Sequence, residues 1–483
     1  MNSIVCIVSV VLTIFLAETG FCQLTIINVK ELGAKGDGVS NDTRYIDSAF
    51  KIVARAGGTV YFPKGFYCIA PIAITFSRPV NVIVRGEHGS TYIKRLAGIS
   101  ASTRALINFR NGGQGSISIS SLTIDGNSSA FKSEWTKKEN KIYLKSPCSG
   151  IEFHYAKYVE VTNCIIKNIH GSGISAYEVQ SMVCSDNSIG NVEESGIRGE
   201  AVVNMSCYRN QIRNAGICPV DYVLDGIAQN RNKETLPTMF GDGISGYCDK
   251  LIAKENYILN PGRIGIVHDL AVALGYKKSS AIIEGNTIVV NSQKINNANP
   301  PSGMWFEQSA FSFVKSNRII LKASHTNLHS AIRFYSVSDS IVCTDNFVDA
   351  RSYNRICENG ISIEYIKSKG IEIKGNKIVG KIATGILNSY SVAGSKTSNV
   401  DITGNIISDV SKNGILVIAE NAMPERANII NNTISFAKMN SISITGKLTK
   451  KYVDKPQVYL SGNVLKNSGP RYIGIKDAIS IKE

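Results

Sequence analysis

Arg198, Glu200, Tyr247, Asp269, Trp305, Glu307, Arg333 and Tyr335 are the residues of this sequence best suited to chemistry, and they share one spacing rule. Each stands one or three residues after the apolar residue of a Gly-Ile, Gly-Met or Ala-Ile pair. Arginines fork onto carboxylate or sulfate, carboxylates and phenols move protons, and an exposed Trp stacks on a pyranose face. Such a set suits an acidic sugar. A face of cross-strand salt bridges and aromatic ladders is the structural alternative. Asp269 and Glu307 come from successive pairs and should be neighbours, about 5 Å apart at the backbone. Like charges that close can raise one pKa and make an acid and base pair, unless Arg333 quenches the repulsion.

Further candidates flank these rows. Asp242, in Phe240-Gly-Asp-Gly-Ile244, sits at a turn and is either catalytic or ordinary turn chemistry. His268 adjoins Asp269, but strict alternation turns it toward the core unless a bulge intervenes. His170, at the turn before Ile174, is close enough to serve as a base. His154, His325 and His329 carry no signal from the pattern.

The elements that must position these groups are strands of a solenoid. The pairs recur at Gly173, Gly196, Gly243, Gly265, Gly303, Ala331, Gly360, Gly385 and Gly414. If the following Ile points inward, alternation sends two rows outward. The first is Ser175, Arg198, Ser245, Val267, Trp305, Arg333, Ser362 and Leu387. The second is Tyr177, Glu200, Tyr247, Asp269, Glu307, Tyr335, Glu364 and Ser389. Both rows are expected to turn bland at their ends.

A second repeat, out of phase with the first, writes Asn-x-(Ile/Val/Leu) eleven times from Asn163 to Asn463, mostly 23 to 31 residues apart. One interval, Asn210 to Asn256, is 46 residues and means two short coils or one coil with a long insertion. Runs such as Ile-x-Gly-Asn-x-Ile at 283–288, 373–378 and 402–407 are β-branched and punctuated by glycine, hence strands. Asparagines stacked coil on coil, about 4.8 Å apart, would bond to one another. The reading is an all-β, single-stranded parallel β-helix of about a dozen coils.

An open solenoid end needs a cap. Asn41-Asp42-Thr43 offers N-cap chemistry, Ile46, Ala49, Phe50 and Val53 follow at amphipathic spacing, and Gly57-Gly58 stops the helix. Residues 28–67 around it, with Val29-Lys-Glu-Leu-Gly-Ala-Lys-Gly-Asp-Gly38 and Gly58-Thr-Val-Tyr-Phe-Pro-Lys-Gly-Phe-Tyr67, resemble the N-terminal signature of the pectate-lyase-like superfamily. Polygalacturonases, several lyases, alginate epimerases and phage tailspikes share it. The resemblance implies a right-handed β-helix and a carbohydrate-active class, not a reaction. The polygalacturonase series Asn-x-Asp, Asp-Asp, Gly-His-Gly, Arg-x-Lys does not stand here in order; Asp242 and His268 only echo it. Gly241 to Tyr247 shares only the frame of the epimerase run Asp-Gly-Phe-Asp-Pro-His. The resemblance also brings calcium into view, yet no cage of calcium-binding spacing is visible, so neither metal nor cofactor is expected.

The apolar run from Ile4 to Ala17 and the Gly-Phe-Cys22 end read as a signal peptide over 1–22, placing the chain in the secreted or periplasmic space. Residues 23–483 then form one domain: cap 23–70, coils 71–465, C-terminal end 466–483. Without the signal, 53 basic and 37 acidic residues leave net +16, which favours an acidic polysaccharide or oligosaccharide over nucleic acid or membrane. A monomer is expected. The runs Lys132–Lys145 and Lys447–Lys455 read as solvated loops, and 125–148 and 218–240 as excursions walling a groove. Cys184 and Cys207 fall at equivalent positions on successive coils, within disulfide range but more in keeping with a buried column. Elimination at a uronate, with Arg198 or Arg333 stabilising charge and Tyr247, Tyr335 or a His moving the proton, is the first functional expectation. A hydrolase using Asp269, Glu307 and Asp242 and a non-catalytic polysaccharide-binding solenoid are the alternatives.

Overall fold

The computed structural model describes residues 25–482, apart from 99–103, 111–114, 132–133, 139–140, 217–220, 225–226, 231–240, 270–278, 292–301, 323–326, 337–338, 365–367, 391–398, 420–424, 446–457, 470–471 and 474–478. The signal segment, the Lys447–Lys455 run, His325 and most of the second excursion lie outside the described residues. What is described is a right-handed parallel β-helix. Each typical coil lays down three strand segments, as in Phe311–Lys315, Arg318–Leu321 and Leu328–Tyr335. Strands of successive coils pair in parallel, and one sheet alone runs through fifteen strands.

Ten asparagines form the ladder, from Asn187 to Asn463. Asn286 shows its unit: Nδ2 donates to Ala253 O at 2.8 Å and to Asn317 Oδ1 at 2.9 Å, while its own Oδ1 accepts from Asn256 N at 2.9 Å. The side chain thus satisfies backbone groups at a buried bend, where an orphan would be costly. Asn210 bonds directly to Asn256, so the 46-residue interval is one coil with an insertion. Asn163 falls outside the ladder: Cys164 holds that position, its N–H bonding Asn187 Oδ1 at 3.0 Å. Asn163 instead has φ 53°, in a left-handed row with Asp186, Arg209 and Glu255, a conformation that Asn tolerates. A second asparagine ladder, Asn168, Asn191, Asn214 and Asn260, runs along another bend.

The inward apolar row is as expected: Ile107, Ile151, Ile174, Ile197, Ile244, Ile266, Met304 and Ile332 stack in register and are fully buried. The glycine before six of them, from Ile151 to Met304, marks a close approach. A Cβ on Gly265 would lie 2.6 Å from both Gly303 O and Ile288 Cγ2. Cys184 and Cys207 are register partners, and both are buried and unbridged, as are the other described cysteines.

The cap is the helix Thr43–Ala56, which buries Ile46, Ala49, Phe50, Val53 and Ala54 and sets Phe50 edge-on to Phe109 at 5.7 Å. Asp42 does not cap it by its side chain. Its carboxylate takes the N–H groups of Lys35 at 2.7 Å and Gly36 at 3.0 Å, tying the upstream loop to the helix start. The two excursions meet each other. Strand Glu134–Lys138 pairs with Lys141–Leu144 and, in parallel, with Asp221–Leu224, which pairs with Ile227–Asn230, giving a separate four-stranded sheet. No described helix is long and apolar enough to cross a membrane.

Candidate functional site

Strand pairing puts the two outward rows in the register that alternation predicts. Ser175, Arg198, Ser245, Val267, Trp305, Arg333, Ser362 and Leu387 follow one another coil by coil. Beside them run Tyr177, Glu200, Tyr247, Asp269, Glu307, Tyr335, Glu364 and Ser389. The rows do not fade at Ser175, however. Upstream, Asn108 and Glu152 extend the first row and His154 the second. The signal for this was present, because Gly150-Ile151-Glu152-Phe153-His154 repeats the same frame.

This upstream end is densely connected. Glu152, with 2% of its side chain exposed, accepts from His154 Nε2 at 2.7 Å and from Ser175 Oγ at 3.1 Å. His154 stacks on Tyr177, ring centroids 5.0 Å apart and planes 11° apart. Arg104 donates to the Tyr177 phenol at 3.2 Å. Arg198 lies over the other side of this group, 5.7 Å from the Tyr177 ring centre, and donates to Glu200 Oε2 at 2.6 Å. Burial is the main force raising the Tyr177 phenol, with Arg198 and Arg104 opposing it. Glu194, buried beside Ser172, is likewise pushed up by burial and pulled back by Arg198.

Tyr247 follows Glu200 on the next coil and is half-buried. Asp242 does not face the groove. It is fully buried at its turn and takes two bonds from Arg263, at 2.8 Å from Nε and 2.6 Å from Nη2. That closed pair holds its carboxylate away from any substrate. Burial raises the Tyr247 phenol, and the charge of Arg263 is the first influence opposing it. No pattern in the sequence singled out Arg263.

Further along, Asp269 and Glu307 are neighbours in register. Arg333 does not serve as their counter-ion; it donates to Glu364 at 3.3 Å from Nε and 3.2 Å from Nη2. His329 stands 3.7 Å from the same carboxylate. Trp305, expected to be exposed, is only 8% exposed. Ile264 and Val267 pack against it, and the Arg333 guanidinium lies 4.7 Å over its ring, so the face meant for a sugar is covered. The Tyr335 ring lies 4.8 Å from the same guanidinium and packs against the Trp305 cluster.

Two histidine candidates leave the groove. His268 points into the core, fully buried, and bonds Cys248 O at 3.1 Å; burial lowers its pKa to about 4, so it stays neutral. Gly199 and Gly246 precede it in the inward row and Phe306 follows. His170 is nearly buried at its turn, with Nδ1 3.1 Å from Glu193 Oε2. Among the described residues no cluster of three or more His, Cys, Asp or Glu has the geometry to hold a metal ion.

Known proteins resemble this chain in part. A family model described as rhamnogalacturonase A/epimerase, pectate lyase-like, matches residues 26–232. Mannuronan C5-epimerase AlgE1 of Azotobacter vinelandii is 36% identical over 108 residues, which is 21% of this chain and 8% of that protein. Alginate lyase 7 of the same organism is 38% identical over 108 residues, 21% of this chain and 12% of the lyase. The match therefore spans about a tenth of the length of these curated relatives. Among solved structures, the AlgE6 epimerase A-module of A. vinelandii aligns over 91% of this chain and 98% of its own, at 18% identity and TM-score 0.45. PfbA, a surface adhesin of Streptococcus pneumoniae, aligns over 93% of each chain at 16% identity and TM-score 0.49.

Proposed function

We propose that this chain, which belongs to the pectate-lyase-like superfamily of parallel β-helices, is a carbohydrate-active enzyme that cleaves an acidic, uronate-containing polysaccharide by β-elimination. The observation that carries the reading is the setting of Arg198. It comes from the coil between those of Tyr177 and Tyr247, and the Tyr177 phenol also accepts from Arg104. Two coil steps, about 10 Å at sheet spacing, separate the tyrosines. Glu200, the partner of Arg198, is on the coil between them, so a sugar carboxylate would compete with Glu200 for Arg198.

A uronate carboxylate on Arg198 would share its charge with the guanidinium, acidifying the adjacent C5–H. One phenol, as phenolate, takes that proton. The C5–H electron pair becomes the C4–C5 double bond as the C4–O4 bond breaks, and the leaving oxygen takes a proton from the other phenol. Glu152 fixes His154, and His154 packs Tyr177 in place. The coils from Asp269 to Glu364 continue the same polar strip and would hold neighbouring sugars. The two Azotobacter relatives are named as a mannuronan C5-epimerase and an alginate lyase, which supports an acidic polysaccharide as the substrate class.

Hydrolysis is the second reading, and one observation favours it. Asp269 and Glu307 sit side by side in register, and coil spacing of about 4.8 Å approaches the carboxylate separation of retaining glycosidases, about 5 Å. A panel of polyuronates, followed for the ultraviolet absorbance of unsaturated uronate and for new reducing ends, separates the two. Absorbance rising with reducing ends supports elimination. Reducing ends without absorbance move the reaction to Asp269 and Glu307. A change of C5 configuration without scission, seen by NMR, makes the protein an epimerase. Retention on immobilised polysaccharide without any product leaves a binding solenoid.

A further inference from the structure

We infer that Arg110 and Tyr155 form a further sugar-binding subsite at the upstream end of the groove, taking a uronate unit other than the one on Arg198. The inference rests on the reading of an acidic polysaccharide in this groove, not on how its bond is broken. Arg110 follows Phe109, the register partner of Phe153, as His154 follows Phe153. It therefore extends the second outward row one coil beyond His154. Three coil steps, about 14 Å at sheet spacing, separate its coil from that of Arg198, so the two cations meet different sugars. Arg198 and Arg333 already hold Glu200 and Glu364, whereas Arg110 is exposed and meets no carboxylate among the described residues. A sugar carboxylate would displace only water from it, and the guanidinium fork suits that group.

Tyr155 supplies the apolar face. It stands at the bend that ends the groove strand, where its N–H donates to Tyr177 O at 3.1 Å. Glu178, Gln308 and Ser336 occupy the same bend on later coils, donating to Glu200, Tyr335 and Glu364 O at 3.0 Å. All four are left-handed, Tyr155 with φ 56°. A bulky residue rarely adopts that conformation and strains the backbone there. Packing could offset such strain, but Tyr155 is 49% exposed and its phenol bonds no described residue. Its ring neighbour among the described residues is His154, at 6.2 Å and tilted by 38°. Glu152 and Tyr177 in turn hold that imidazole in place. The Tyr155 ring is thus presented to solvent beside the groove on a fixed bend, unlike the covered Trp305. An exposed aromatic ring offers a pyranose an apolar face to stack on.

The test uses the full chain and two acid probes, polygalacturonate and polymannuronate, each beside its methyl ester. Binding is read as the dissociation constant, or as KM where the polymer is turned over. Tyr155→Asn removes the ring but keeps a residue suited to the left-handed bend. It should fold at least as stably as wild type and weaken acid and ester alike, roughly tenfold. Tyr155→Phe keeps the ring and should stay within about twofold of wild type. Arg110→Gln should weaken the acid polymer about fivefold, an effect that fades as salt rises, and leave the ester untouched. A Tyr155→Asn variant that binds as wild type does, or that loses melting temperature with its affinity intact, overturns the stacking role. Equal effects of Arg110→Gln on acid and ester overturn the carboxylate contact. In each of these cases wild-type binding keeps the acidic-polysaccharide reading, and the inference alone falls. A wild type that binds neither acid polymer removes that reading and the subsite with it.

Discussion

His154 Nε2 lies 2.7 Å from Oε1 of Glu152, a carboxylate with 2% of its side chain exposed, and the imidazole so held stacks flat on Tyr177. The pair orients the phenol through packing rather than through a direct bond. Glu152→Gln keeps the volume and one acceptor but weakens the grip on the ring. We expect kcat to fall on the order of 10- to 100-fold with little change in melting temperature, in keeping with the scale of acid–base contributions. Kinetics on the preferred polyuronate, with thermal unfolding as the control, check it. A large fall in stability with kcat per folded molecule intact would make Glu152 a core residue only.

His268 should make the fold sensitive to acid. Its folded pKa is lowered from 6.5 to about 4 by burial, so below pH 6.5 the unfolded chain binds a proton that the folded chain refuses. Stability is therefore whole above that value and lost as pH falls toward 4, by about 3 kcal/mol at 1.36 kcal/mol per unit. His268→Gln keeps a donor for Cys248 O and removes the titration. Denaturant unfolding at pH 7 and pH 4.5 should show a smaller difference in this variant than in wild type; equal differences would mean that the ring protonates without cost.

Asn286→Ala should destabilise the solenoid on the order of 3 kcal/mol or more. It strands the Ala253 carbonyl and the Asn256 N–H, both paired to Asn286 at 2.8 to 2.9 Å in a buried bend. Asn163→Ala, at an exposed bend off the ladder, serves as the contrast and should cost much less. Chemical denaturation of both variants checks the ranking, and a similar loss from each would contradict the assigned ladder position.

Trp305 should report on packing, not on sugar. Of the two tryptophans, Trp135 and Trp305, neither exposes more than 8% of its surface, so tryptophan emission should not respond to saturating polyuronate. Trp305→Ala is expected to cost about 3–5 kcal/mol of stability. Quenching that saturates with added polysaccharide and vanishes in this variant would restore a stacking role.

The register of the site was legible because a strand has period two and a parallel coil repeats its neighbour. Once Gly196-Ile197 and its equivalents are aligned, Arg198 must follow Ser175 and precede Ser245, and the pairing agrees. The same rule would have placed His154, had Gly150-Ile151 been counted. Asn163 was misassigned for an equally local reason: Asn-Cys-Ile mimics the ladder motif one residue out of phase, and Asn suits a left-handed bend as well as a ladder.

What the sequence alone determined, then, is whatever repeats: the β-helix, its ladder, its buried isoleucine row and the order of groups along the outward strand. Pairwise geometry between coils was decided only in three dimensions. Nothing in the spacing says that Arg263 closes on Asp242, that Arg333 leans over Trp305 and binds Glu364, or that the two excursions join in one sheet. Periodicity fixes where a Cβ points, because that is backbone geometry common to every coil. Where a long side chain ends depends on rotamers, neighbouring charge and burial, which differ at each coil and carry no repeat.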